Sequence, residues 1–146
     1  QQMRHTDFCG KTVFDFGTGT GILAILAEKL GAKKIVAVDN DEFSISNAEE
    51  NIKRNNCTKI ELRLSSEIST GDYYDIILAN INKNVIVQHL AAAVNQMKGN
   101  AHLLVSGLLA GDKADIMQAA QEFPLQVVSE AAKDKWICIK FLANRC

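Results

Sequence analysis

The most constraining feature of the chain is a strand-like run, Thr12-Val13-Phe14-Asp15-Phe16, that ends directly in Gly17-Thr18-Gly19-Thr20-Gly21. Glycines at alternate positions make a turn whose backbone takes positive φ easily and lets a ligand approach closely. The residues that follow, Ile22, Leu23, Leu26 and Leu30, recur at helical spacing, and Gly31 stops them, so the turn opens a helix. A helix starting there presents unpaired N–H groups to whatever the turn holds. Strand, glycine turn and helix in this order predict a ligand-binding unit.

The same alternation continues. Lys34–Asp39 reads as a second strand ending in an acid, and Asp41 as the N-cap of a helix through Arg54, with Ile45, Ala48 and Ile52 on its apolar side. A third strand, Lys59–Leu64, leads into a polar stretch, Ser65 to Tyr73, that replaces a full crossover helix or holds only a turn of one. The fourth strand, Asp75–Ala79, ends at Asn80. Residues 83–97 predict a helix with Ile86, Leu90, Val94 and Met97 facing in, and Gly99-Asn100 turns the chain into a fifth strand, Ala101–Ser106. A helix over Asp112–Glu122, then Pro124, precedes two last strands, Leu125–Ala131 and Lys135–Leu142, joined by a tight turn around Lys133-Asp134. So short a connection forces an antiparallel hairpin. Near-continuous apolar strands alternating with helices mean a parallel sheet covered on both faces. The expected fold is α/β, with a seven-stranded, mostly parallel sheet.

Composition narrows the function classes. At 146 residues the chain fits one domain, expected over residues 11–146, with residues 1–10 a remnant of a linker or preceding segment. The chain reads as the C-terminal part of something longer. A net charge of -1 argues against broad phosphate-backbone contact, and so against direct DNA binding. Cys9, Cys57, Cys138 and Cys146 show no paired spacing and are expected as reduced thiols of a cytoplasmic protein without a metal site. Cys138, in an apolar run, reads as a small core residue. The longest apolar stretches are strand-sized, well short of the roughly 18 residues a membrane helix needs, so no membrane partner is expected.

The glycine spacing separates two ligands. A dinucleotide fingerprint, G-x-G-x-x-G, needs glycine where Ile22 stands; here the spacing is G-x-G-x-G, with Asp15 two residues ahead of Gly17. Asp39, at the end of the second strand, is placed to accept both hydroxyls of a ribose, each bond worth about 1.5–3 kcal/mol. That acid serves either ligand. Asn80 lies at the C-terminal edge of the sheet, where open α/β sheets bind ligands; a plain turn or cap is the alternative, although Asn82 is the better-placed cap.

The run Phe14 to Gly21 resembles the first motif of class I S-adenosylmethionine-dependent methyltransferases. Gly17-Thr18-Gly19-Thr20-Gly21-Ile22-Leu23-Ala24-Ile25, Lys29-Leu30-Gly31-Ala32-Lys33-Lys34, Ala79-Asn80-Ile81-Asn82-Lys83-Asn84-Val85-Ile86, Val105-Ser106-Gly107-Leu108-Leu109 and Lys135-Trp136 are similar to PrmA-type ribosomal protein methyltransferases. The resemblance runs from Gly10 to about Leu142 and implies a Rossmann-like class I methyltransferase fold. It implies S-adenosylmethionine as cofactor, with Gly17, Thr18, Gly19 and Gly21 cradling its amino-acid portion and ribose. Asp15 would help hold the ammonium, Asp39 the ribose, and Ser66 the adenine. Asn80 would contact the cofactor and act as the catalytic residue. Implied too is methyl transfer to lysine side chains and the N-terminal amine of the stalk-base protein of the large ribosomal subunit. The family's N-terminal substrate-recognition domain is expected to be absent from this stretch. Asn80 lacks the Pro-Pro-aromatic continuation of enzymes that methylate planar amides and base amines. Alternatives are a methyltransferase for a small molecule or RNA, a nicotinamide dehydrogenase disfavoured by Ile22, and a cofactor-binding fragment without catalysis. His5, His89 on the outer face of its helix, and His102 are read as structural or surface residues, and Trp136 as packed in the sheet.

Overall fold

The computed structural model describes Met3 and residues 6–144; His5 and Cys146 lie outside the described residues. Among the described residues, seven strands and four α-helices follow one another as β1 (Thr12–Phe16), α1 (Ile22–Lys29), β2 (Lys34–Asp39), α2 (Glu42–Arg54), β3 (Ile60–Leu64), β4 (Tyr74–Asn80), α3 (Lys83–Asn95), β5 (Met97–Leu109), α4 (Lys113–Ala120), β6 (Leu125–Lys133) and β7 (Trp136–Ala143). One sheet holds all the strands in the order β3-β2-β1-β4-β5-β7-β6. β1 to β5 run parallel, and β7 is antiparallel to both β5 and β6. The two-residue connection Asp134-Lys135 closes the hairpin with Asp134 at φ 57°.

The strands are apolar on both sides because each side carries its own core. Val13, Ile35, Ala37, Ile76, Leu78 and Leu104 face α1, while Phe14, Phe16, Val36, Val38, Ile77, Leu103 and Val105 face α3 and α4. Met3 and Phe8 are buried in the α1-side core, so packing on that face extends beyond the Gly10 boundary. α1 buries Ala24, Ile25 and Ala27 and leaves Ile22 66% exposed. Of the expected apolar positions, Leu23, Leu26 and Leu30 are partly buried and pack against the same core, beside the alanines that let the helix lie close to the sheet; Ile22 alone departs.

The polar stretch 65–73 forms no helix. It is held instead by Gln96, whose Nε2 donates to the Ile68 carbonyl at 2.7 Å and whose Oε1 accepts from the Thr70 amide at 2.8 Å. This clasp explains a second difference. α3 stops at Asn95, and Met97, expected as its last inward residue, is instead the buried first residue of β5, paired with Tyr74. Asp41 and Asn82 cap α2 and α3 as expected, their side chains accepting from the Ser44 and Val85 amides at 3.1 Å. Trp136 departs from expectation: it is 49% exposed with Lys135 Nζ 5.8 Å from its ring centroid. β7 begins there, and Trp136 lines an open hollow shared with Leu23 and Leu26 of α1. Cys138 is half-buried rather than a core residue.

Candidate functional site

Strand order reverses between β1 and β4, and the carboxyl ends of strands at such a reversal diverge to leave a crevice. The glycine turn lies there. Gly17 and Thr18 donate to the Val38 carbonyl at 3.0 and 2.9 Å, tying the turn to β2. The three glycines answer two different demands. A Cβ on Gly17 would stand 2.4 Å from Ile81 Cγ2, and one on Gly21 3.1 Å from the Ala48 Cβ. Gly19, at φ 57°, faces open space. Gly17 and Gly21 are therefore required by packing, and Gly19 is the position left free for a ligand.

Asp39 organises this opening. One carboxylate oxygen accepts from the Gly19 amide at 2.9 Å and the other from the Asp41 amide at 3.0 Å. A carboxylate offers about four lone-pair sites, so Asp39 keeps capacity for two further donors. A cleft of about 530 Å³ runs from Gly17 past Asp39, Asn40, Ser65 and Ser66 to Ile81, Val85, Gln88 and His89. Gly17, Asp39 and Ser66 thus meet on one wall system.

Asp15 and Thr18 lie beneath the turn, 1% and 6% exposed. Thr18 Oγ1 donates to Asp15 Oδ2 at 2.7 Å. Asp15 Oδ1 is buried with no hydrogen-bond partner among the described residues. Burial pushes the Asp15 carboxyl up to about 6; the Thr18 hydroxyl and Ala24 amide oppose the shift, and the Asp39 charge adds to it.

Asn80 is exposed at the end of β4, in register with Ser106 of β5. Pairing of β5 with β7 slips between Val105 and Leu108, which frees Ser106 and Gly107. A Cβ on Gly107 would meet Asn80 Oδ1 at 2.7 Å; glycine makes room for the amide. Asn80 stands between the cleft, where its neighbours Ile81 and Asn82 lie, and a second hollow of about 370 Å³ lined by Ser106, Gly107, Leu78 and Trp136.

His89 does not lie on the outer face of α3. It lines the cleft and sits edge-on to Phe16, with centroids 5.3 Å apart. The signal was present in the sequence: counted from Asn82 as cap, Val85, Gln88 and His89 share a helix face. His102 is elsewhere, in β5 against Ile76 and Leu142. Burial, then Lys140 and Lys11, holds its imidazole below the usual range.

Comparison with known proteins decides the family. The profile described as "Ribosomal protein L11 methyltransferase (PrmA)" matches residues 1–144. The chain belongs to the PrmA family. It is similar to the ribosomal protein L11 methyltransferases of Porphyromonas gingivalis, 34% identical over 92% of this chain and 47% of the relative, and of Chlorobaculum tepidum, 36% identical over 94% and 49%. The crystal structure of a ribosomal protein L11 methylase from Lactobacillus delbrueckii subsp. bulgaricus superposes with a TM-score of 0.90 at 31% identity, covering 95% of this chain and 73% of that one. The chain spans about half the length of the curated PrmA relatives it matches. Class I methyltransferases of this family use S-adenosylmethionine. Among the described residues no helix is long and apolar enough to cross a membrane.

Proposed function

We propose that this chain binds S-adenosylmethionine at the β1–β4 crevice and transfers its methyl group to lysine and N-terminal amines of a large-subunit ribosomal protein, the stalk-base protein. The observation that carries the reading is Asp39, fixed by the Gly19 and Asp41 amides at the mouth of the cleft with acceptor capacity to spare. Family membership supports the reaction class, and the printed name of the relatives supports the acceptor.

The residues present fit an adenosyl amino acid. Asp39 accepts the ribose hydroxyls, Ser66 contacts the adenine edge, and the open backbone at Gly19 receives the ribose and amino-acid portion, with Gly17 and Gly21 holding the turn in shape. Asp15 acts from below: Thr18 anchors it under the turn, and its charge favours an ammonium above. The cofactor supplies a methyl group on a positively charged sulfonium. Asn80 contacts the cofactor and is the catalytic residue, its side-chain oxygen accepting a hydrogen bond from the acceptor amine and aiming the nitrogen lone pair. Holding reactants in line recovers about 7–11 kcal/mol of barrier, so positioning carries the reaction and no histidine base is invoked. Residues 11–146 constitute the methyltransferase domain, and the protein works in the cytoplasm.

The test is calorimetry with S-adenosylhomocysteine, followed by transfer of labelled methyl to purified ribosomal protein L11 by a full-length protein containing this chain. Binding with transfer is expected. Binding of NAD in preference to S-adenosylhomocysteine, or absence of label in L11, overturns the reading.

A further inference from the structure

We infer that His89 reads the adenine ring and is a specificity-determining residue of the cleft. The inference rests on the cofactor reading above. Three observations carry it. The capped start of α3 turns Val85, Gln88 and His89 toward the cleft, while Ile86, Leu90 and Ala93 enter the core behind them. His89 is half-buried and its ring is fixed edge-on against Phe16 at 5.3 Å and 72°, so the imidazole is oriented before a ligand arrives. Of the residues lining the cleft, Asp39 is the one acid; the rest of the lining offers apolar walls, Phe16, Ile81 and Val85, and polar groups without negative charge.

That combination suits a flat heteroaromatic ring with hydrogen-bonding edges. An imidazole carries at least one ring N–H donor, and an adenine ring nitrogen is an acceptor for a donor on α3. His89 donates to that nitrogen, and Phe16 keeps the donor aimed.

The experiment measures calorimetric affinity of the full chain for S-adenosylhomocysteine and for its 1-deaza and 7-deaza analogues, in wild type, His89→Phe and His89→Asn. Phe keeps the edge-on packing and removes the donor; Asn keeps a donor, and thermal unfolding of each variant checks folding. His89→Phe is expected to bind S-adenosylhomocysteine roughly three- to tenfold more weakly. One deaza analogue should lose the same factor against wild type and nothing further against His89→Phe, with Asn recovering part of the loss. Equal binding by wild type and His89→Phe, or an equal deaza penalty in both, overturns the inference while leaving the cofactor reading intact. If wild type binds none of the three ligands, the cofactor reading fails and the inference falls with it.

Discussion

Asp15 is unusual for a carboxylate: it is buried beneath a turn, one oxygen held by Thr18 and the other facing no donor among the described residues. Its pKa of about 6, against 3.8 when free, has a definite sign in stability. Between those values the folded chain binds more protons than the unfolded one, so unfolding free energy falls as pH rises through the window. A shift of about two units costs about 3 kcal/mol at neutral pH. Asp15→Asn is therefore expected to be more stable than wild type at pH 7.5, by about 1–3 kcal/mol after imperfect repacking, with the gap closing towards pH 4; urea unfolding at both pH values checks it. A gap that does not move with pH would show that ionised Asp15 is not the cause. The glycines divide in a second prediction. Gly17→Ala drives a methyl into Ile81 and should lower stability by about 1–3 kcal/mol. Gly19→Ala meets open space, so it carries only the strain of φ 57°, about 1 kcal/mol, and should chiefly weaken S-adenosylhomocysteine binding in calorimetry.

At the scale of elements, the slipped β5–β7 pairing and the capped α3 surround Asn80, the proposed acceptor side of the site. Gly107→Ala would push against Asn80 Oδ1. Methyl transfer by the full-length protein is expected to fall while S-adenosylhomocysteine affinity stays within about twofold, since a misplacement near 1 Å costs on the order of a hundredfold in rate; steady-state rates beside calorimetry separate the two. The sequence made this region legible only in part. Asn80, Asn82 and the closing hairpin follow from spacing and cap chemistry, because those are local effects. Gly107 does not, and the spacing that puts His89 on one face with Val85 and Gln88 does not say what that face meets: both roles arise where α3 and the β5–β7 slip meet β1 and β4, contacts distant in sequence. Met97 was misplaced for a related reason, since Gln96 is committed to clasping the 65–73 segment and a propensity argument sees nothing of that contact. Ile22 and Trp136 are apolar residues whose exposure only the packed sheet determines.

For the whole molecule, the crevice joins elements that otherwise belong to separate layers. Asp39 comes from β2, Gly17 from the β1–α1 turn, Ser66 from beyond β3, and Ile81 and His89 from the β4–α3 unit. A ligand seated there bridges segments distant in sequence, so its binding energy is available only to the folded chain. Ligand at a hundred times its Kd then adds about 2.7 kcal/mol to unfolding free energy, and for a domain near 150 residues each kcal/mol moves Tm by about 2–4 °C. Saturating S-adenosylhomocysteine is thus expected to raise Tm by about 5–11 °C. Asp39→Ala should abolish most of that rise, because it removes the ribose acceptor together with the tie between Gly19 and Asp41. NAD at the same concentration should leave Tm unchanged. A rise with NAD, or an undiminished rise in Asp39→Ala, would place the ligand away from this crevice and separate the fold's stability from its proposed use.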